Sequence, residues 1–255
     1  MRAASRHVQS LFYDVNIMGS LPGQTYLLNE EESAHAVRVL RYTSGEVIHI
    51  ADGRGNLYEA VITNPHPKHC EVEIRAVEYH PKHHKGEVHI AVAPTKNIER
   101  MEWLCEKCTE IGVDIITPLL CHYSERKQIR TDRLQKIVLS AAKQSLSAYL
   151  PDLNELTPIK DCIFNAKETY KFIAHSSAWT DKRDLRTELR LLSNAEHSEA
   201  TIQPTFCVLI GPEGGFSDEE VRLAMEHGFV PVSLGDARLR TETAAIVSCA
   251  MINYV

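Results

Sequence analysis

From residue 87 to the end, short apolar runs alternate with longer stretches of helical periodicity, a rhythm that few architectures satisfy. Residues 88–93 read as a strand, followed by a helix from about Asn97 to Ile111 that stops at Gly112. A strand near Ile115 and Ile116, a helix over about 131–147 and a strand over 171–174 come next. A polar helix near 181–192, strands at 206–210 and 229–234, and helices at 217–227 and 241–252 complete the series. Strands separated by helix-length crossovers form a mostly parallel sheet covered by helices.

Residues 1–79 follow another pattern. The β-rich runs 47–50 and 57–62 flank Asp52, Gly53, Arg54 and Gly55, a hairpin signal, and residues 71–77 alternate charged and apolar side chains. Only Asn29 to about Leu40 looks helical, with Asn29 as N-cap and Glu32 three residues on, a variant of the capping box. Short strands and one helix predict a small β-barrel over 1–79. Residues 80–86 form a polar, basic linker, and 87–255 form the α/β domain. His80, His83 and His84 invite a metal reading, but one flexible stretch lacks the frame that a metal site needs. The opening MRAASR reads as a short polar extension.

The chain has 255 residues, 44% of them hydrophobic, enough to bury a core without disulfides or metals. Its formal charge of -6 gives no global prompt toward nucleic acid or membrane. Locally, however, Arg126, Lys127, Arg130, Arg133, Lys136 and Lys143 outweigh Glu125 and Asp132. That stretch is either a solvated helix face or a phosphate-contacting surface, and the residues alone leave both open. Seven scattered cysteines, with no membrane span and no signal peptide, point to reduced thiols in the cytoplasm. Cys105 and Cys108, with Cys121 and His122, raise zinc, yet Met101, Leu104, Cys105, Cys108 and Ile111 share one helical stripe. We therefore read the cysteines as core residues and expect no metal. A redox pair would open a helix rather than lie inside it.

The loop after residue 210 is the most informative local feature. GPEGGFS, residues 211–217, fits neither the dinucleotide fingerprint nor the P-loop. Pro212 removes an N–H donor, Glu213 repels a polyphosphate, and Ser217 with Glu220 caps the next helix from within. The glycines still permit close backbone approach to a ligand at the carboxyl end of a strand, where a cationic or zwitterionic adenosine compound would suit. LGDARLRTET, residues 234–243, again places a glycine after a strand and a threonine before an apolar helix. Two such loops can wall one pocket.

These motifs resemble the ribosomal RNA small subunit methyltransferase E family of the SPOUT superfamily. The resemblance is carried by HAVRVLR (35–41), DGRG (52–55), KCTEIG (107–112), AKQS (142–145), GPEGGFSDEEV (211–221) and LRTETA (239–244). It implies a PUA-like N-terminal β-barrel followed by a SPOUT α/β domain with a C-terminal deep trefoil knot. It also implies a homodimer that uses S-adenosylmethionine to methylate N3 of one uridine in 16S rRNA, as naked RNA or in the 30S subunit. Three loops then hold the cofactor through His175, Ile210, Gly211, Gly214, Gly215, Leu234, Gly235, Leu239 and Thr241. Arg240 stands as the candidate that stabilises the uracil anion, and Glu213 as the carboxylate near the sulfonium. RNA contacts fall to Arg38, Arg41, Arg126, Lys127, Arg130 and Lys143. The commoner family form has arginine one place before Ile-Leu-Arg, where Ala237 and Arg238 stand here, and often Glu in place of Lys143. Two other readings compete: a non-catalytic RNA-binding factor in ribosome assembly, and an α/β enzyme using ATP or NAD.

Overall fold

The computed structural model describes residues 10–82, 86–176, 180–195 and 203–254. The opening extension and the linker residues His83 and His84 lie outside them. Two compact units emerge: the chain up to Lys82 with Ala142–Leu150, and His83–Ala141 with Pro151–Val255.

The first unit contains β1 (Leu11–Tyr13), β2 (Thr25–Leu27), α1 (Glu30–Ala34), β3 (Val47–Ala51), β4 (Asn56–Asn64) and β5 (Glu71–Tyr79). Their order is β1-β3-β4-β5-β2, parallel between β1 and β3 and antiparallel elsewhere. Among the described residues β1 and β2 do not pair, so the sheet is a half-barrel rather than the closed barrel expected from the strand pattern. Alternation puts Tyr58, Ala60 and Ile62 of β4 and Val72 and Ile74 of β5 into one core with Phe12, Ile17 and Leu28. At the predicted hairpin turn, Asp52 Oδ1 accepts the N–H groups of Arg54 at 2.7 Å and Asn56 at 3.1 Å.

The capping box at Asn29 is only half closed. Asn29 Oδ1 accepts the Glu32 N–H at 2.9 Å, but the Asn29 N–H donates to Asp14 Oδ2 at 3.2 Å. Glu32 instead pairs with the ammonium of Lys143, and its side chain is 3% exposed. A cation wins over a cap because a buried carboxylate needs a charged partner. Beyond Ala34 the helix widens into a π-helical turn over His35–Val39, ending before Arg41 at φ 59°.

Residues 142–150 are integral to this unit. The Gly55 N–H donates to Ala148 O at 3.1 Å, the Leu150 N–H to Gly53 O at 3.0 Å, and the Tyr13 hydroxyl to Ser147 O. Gly55 has φ +103°, and a Cβ there would lie 2.4 Å from Tyr149 Oη. Only glycine meets both conditions.

The second unit runs β6 (Glu87–Val92), α2 (Ile98–Ile111), β7 (Ile115–Leu120), α3 (Thr131–Gln144), β8 (Asp152–Leu153), β9 (Thr157–Pro158) and α4 (Ile159–Asn165). It continues with β10 (Tyr170–Ala174), β11 (Arg183–Asp184), α5 (Leu185–Ala195), β12 (Thr205–Ile210), α6 (Asp218–Glu226), β13 (Val230–Ser233) and α7 (Thr241–Tyr254). The order is β11-β13-β10-β12-β6-β7-β8, with β9 also on β7, and every pairing is parallel, as the alternation predicted. Asn97 caps α2, and Gly112 ends it at φ 107°. Met101, Leu104, Cys105 and Cys108 are buried along its predicted stripe, and burial pushes the Cys105 thiol up to about 12. No helix among the described residues is long and apolar enough to cross a membrane.

A polar network lies inside this unit. His89 Nδ1 donates to Glu168 Oε1 at 2.5 Å, and Nε2 bonds Thr117 Oγ1 at 2.7 Å. Asn154 Nδ2 donates to the same hydroxyl at 2.8 Å. Cys207 stands close to this pair, but both ring nitrogens of His89 already have partners. Burial opposes the Glu168 charge, and the hydrogen bond and charge of His89 outweigh it, holding the carboxyl below its usual range.

Two predictions follow from this packing. Gly55→Ala should lower the unfolding free energy in urea by about 2 kcal/mol or more, through strain and the displaced tyrosine. Glu168→Gln should cost about 1–3 kcal/mol at pH 7. Because the folded pKa is depressed, that contribution exists above the unfolded value of about 4.3 and fades as pH falls through the folded value. Wild type and variant should therefore converge in acid denaturation.

Candidate cofactor pocket

Register places the site. Ala174 at the end of β10 lies opposite Ile210 of β12 and Val232 of β13. Three neighbouring parallel strands thus end together, and the loops that leave them must emerge side by side. They enclose a cavity of about 680 Å³, within the range of small-molecule sites.

All nine residues expected to bind a cofactor line this cavity: His175, Ile210, Gly211, Gly214, Gly215, Leu234, Gly235, Leu239 and Thr241. Glu213 and Arg240 line it too. Gly215 at φ +76° and Gly235 at φ +112° would present a Cβ to open space, so their bare backbones form part of the cradle wall. Gly214 is needed for another reason, since a Cβ there would lie 2.9 Å from Tyr123 Cβ. Thr241 Oγ1 donates to Gly211 O at 3.0 Å and ties the start of α7 to the glycine loop.

The helix that follows the glycine loop does not offer its N-terminus to a polyphosphate. Ser217 and Glu220 close the predicted capping box, with the Ser217 N–H on Glu220 Oε2 at 2.8 Å and the Glu220 N–H on Ser217 Oγ at 3.2 Å. The α6 N-terminus is thereby occupied by its own side chains. Glu220 Oε1 also accepts the His122 N–H at 2.7 Å, which pins the segment after β7. Burial and the neighbouring Lys182 charge hold the His175 imidazole below its usual pKa against the opposing pull of Asp218. A neutral imidazole therefore faces the cavity at pH 7, beside the carboxylates of Glu213 and Asp236.

Glu213 is exposed, yet its Oε1 accepts the Lys96 N–H at 2.9 Å. Arg240 is exposed at the rim and has no side-chain partner among the described residues. Lys182 and Arg238 line the cavity with Arg240, whereas the basic residues expected to contact RNA lie elsewhere. Arg38, Arg41, Lys127 and Arg130 are exposed, Arg130 pairing with Asp132 at 2.8 Å. Arg126 donates to main-chain carbonyls and Lys143 pairs with Glu32, so both have partners within their own units. Lys182 and Asp236 also line the cavity but were missed in the sequence, Lys182 because it follows neither a strand-end glycine nor a cap, and Asp236 because only the glycine before it was read as a contact. Asp236, directly after Gly235, was the more findable of the two.

Comparison with known proteins adds identity to this geometry. A family model described as an RNA methyltransferase domain matches residues 82–253, and one described as an RNA methyltransferase PUA domain matches 28–75. Ribosomal RNA small subunit methyltransferase E of Synechocystis sp. is 30% identical over 234 residues, which cover 90% of this chain and 73% of that protein. The crystal structure of a probable rRNA-methyltransferase from Porphyromonas gingivalis is 38% identical, with a TM-score of 0.81 over 95% of this chain and 96% of that one. A ribosomal RNA small subunit methyltransferase E from Neisseria gonorrhoeae, solved bound to S-adenosyl methionine, is 26% identical with a TM-score of 0.78 over 94% and 95%. By sequence and by fold over nearly its whole length, the chain belongs to the ribosomal RNA small subunit methyltransferase E family.

Proposed function

We propose that this protein transfers the methyl group of S-adenosylmethionine to N3 of a uridine in the 16S rRNA of the small ribosomal subunit. The observation that carries the reading is the cavity of about 680 Å³ formed by three strand-end loops in a chain of this family. The residues present fit that cofactor. The glycine backbones admit a flat adenosine portion, Glu213 and Asp236 attract a sulfonium, and the neutral His175 does not repel it.

S-adenosylmethionine supplies an already activated methyl group, so the chain's own tasks are alignment, charge stabilisation and exclusion of competing ligands. Uracil N3 must lose its proton to attack. The Arg240 guanidinium, unpaired at the rim among the described residues, donates to uracil O2 or O4 as negative charge develops there. Glu213 contributes its formal charge to the wall. Proton acceptance by Glu213 competes with its hydrogen bond to Lys96, which makes electrostatic support its better role. The target base must be unpaired or flipped to reach the cavity mouth.

In this reading the first unit, built on residues up to about 79 and completed by Ala142–Leu150, is a PUA-like RNA-binding domain, and Arg38, Arg41, Lys127 and Arg130 contact phosphates. The chain after β13 closes a deep trefoil knot. Support comes from the strand order β13-β10-β12 and from α7, which packs against α2, α5, β6 and β12. The enzyme is a cytoplasmic homodimer, for which the exposed Trp103 of α2 and Tyr254 of α7 offer apolar surface.

Purified protein should transfer labelled methyl from S-adenosylmethionine to 30S particles or 16S rRNA, with 3-methyluridine recovered on nuclease digestion. Cofactor binding without any 3-methyluridine on either substrate would favour a non-catalytic assembly factor. Arg240→Ala should lower kcat about 100-fold or more, while the Kd for S-adenosylmethionine changes little. An equal loss in cofactor affinity would place Arg240 in binding instead.

A further inference from the structure

The glycine loop poses a problem that its own backbone does not solve. Pairing between β6 and β12 continues as far as the Ala93 N–H on Ile210 O, at 2.9 Å. Beyond that rung Pro94 and Pro212 have no N–H to give, so the ladder stops where the cavity begins. Within the loop, the Gly215 N–H closes a turn on Pro212 O at 2.8 Å, and Thr241 holds Gly211 from the side of α7. On the side of β6, the contact comes from side chains.

That contact converges on one residue. Glu213 Oε1 accepts the Lys96 N–H at 2.9 Å. Arg126 Nη2 donates to Lys96 O at 2.7 Å, and Arg126 Nε donates to Thr95 O at 3.1 Å. Thr95 is fully buried, and its hydroxyl donates to Asn97 O at 2.7 Å, one residue before α2 begins. A planar guanidinium can span two successive carbonyls, whereas an ammonium satisfies one at a time.

We propose that Arg126 is a positioning residue for the cofactor loop: it fixes the 95–96 peptides that in turn hold Glu213 and the cavity wall. Its charge lies in the basic stretch that the sequence offers for RNA, but its Nε and Nη2 donors are engaged by the main-chain carbonyls of Thr95 and Lys96. This inference rests on the methyltransferase reading and assigns Arg126 a part in shaping the S-adenosylmethionine site.

The test uses the full chain and calorimetric titration with S-adenosylmethionine. Arg126→Ala should raise the Kd about tenfold, and Arg126→Lys should recover part of the loss. At saturating cofactor the kcat of Arg126→Ala should fall by less than the affinity does, because Arg240 is not held through Lys96. The dependence of 16S rRNA binding on salt should keep its wild-type slope. Because Arg126 and Glu213 act through the same Lys96, Arg126→Ala combined with Glu213→Ala should lose less affinity than the two single losses summed.

An unchanged Kd in Arg126→Ala overturns the proposal. So does a salt slope reduced by about one unit with the Kd intact, the sign of a lost phosphate contact. Strict additivity in the double variant also contradicts it. Should Arg126→Ala fail to fold, Arg126→Lys still decides: wild-type affinity in that variant counts against a two-carbonyl brace. If the wild-type chain itself binds no S-adenosylmethionine, the methyltransferase reading fails first, an outcome distinct from a wild type that binds and a variant that binds equally well.

Discussion

The site depends on the parallel registration of β13, β10 and β12. Ala174 opposite both Ile210 and Val232 means that three strands finish at one level, and each must hand over to a loop there. The main-chain ladder could close at other registers, so the burial pattern of the side chains fixes that level. A slip of one residue would turn Phe172 and Val208 from one face to the other and separate the loop starts together. Pocket and core are therefore specified by the same register.

At the ends of those strands the backbone's regular bonding stops, and local devices take over. The Ser217–Glu220 box consumes the α6 N-terminus, which removes the feature that would attract a phosphate. Thr241 and Glu213 reach across to main-chain groups of neighbouring loops. Glycines at 215 and 235 leave the wall without side chains where a ligand would press closest. Together these give a pocket open to an adenosine compound, with its helix N-terminus closed to phosphate and a wall that sets the carboxylates of Glu213 and Asp236 among the basic side chains of Lys182, Arg238 and Arg240. The same economy of partners runs through the first unit, where Glu32 gives up a helix cap to neutralise Lys143.

Much of this was legible in the sequence, for identifiable reasons. Asn97 and Gly112 bracket α2 because cap chemistry is local, and the cysteine stripe was readable from a period of 3.6. The two strand-end loops announced themselves through glycine followed by a capping hydroxyl. What was hidden depends on distance along the chain. Nothing near residues 142–150 says that they complete a sheet made by residues 11–79, since Gly55 meets Tyr149 only after folding. The half-closed cap at Asn29 was misread because Asp14 and Lys143, the competing partners, lie far from it in sequence. Arg126 looked like a surface charge for the same reason, its carbonyl partners being some thirty residues away.

The central claim is that the cavity at the ends of β10, β12 and β13 selects S-adenosylmethionine over phosphate-rich nucleotides. Isothermal titration of the purified chain with S-adenosylmethionine, ATP and NAD, each under the same conditions, tests it most directly. The account predicts saturable heat with S-adenosylmethionine, displaced by its demethylated product, and none with the other two. Binding of ATP or NAD with no response to S-adenosylmethionine would contradict it.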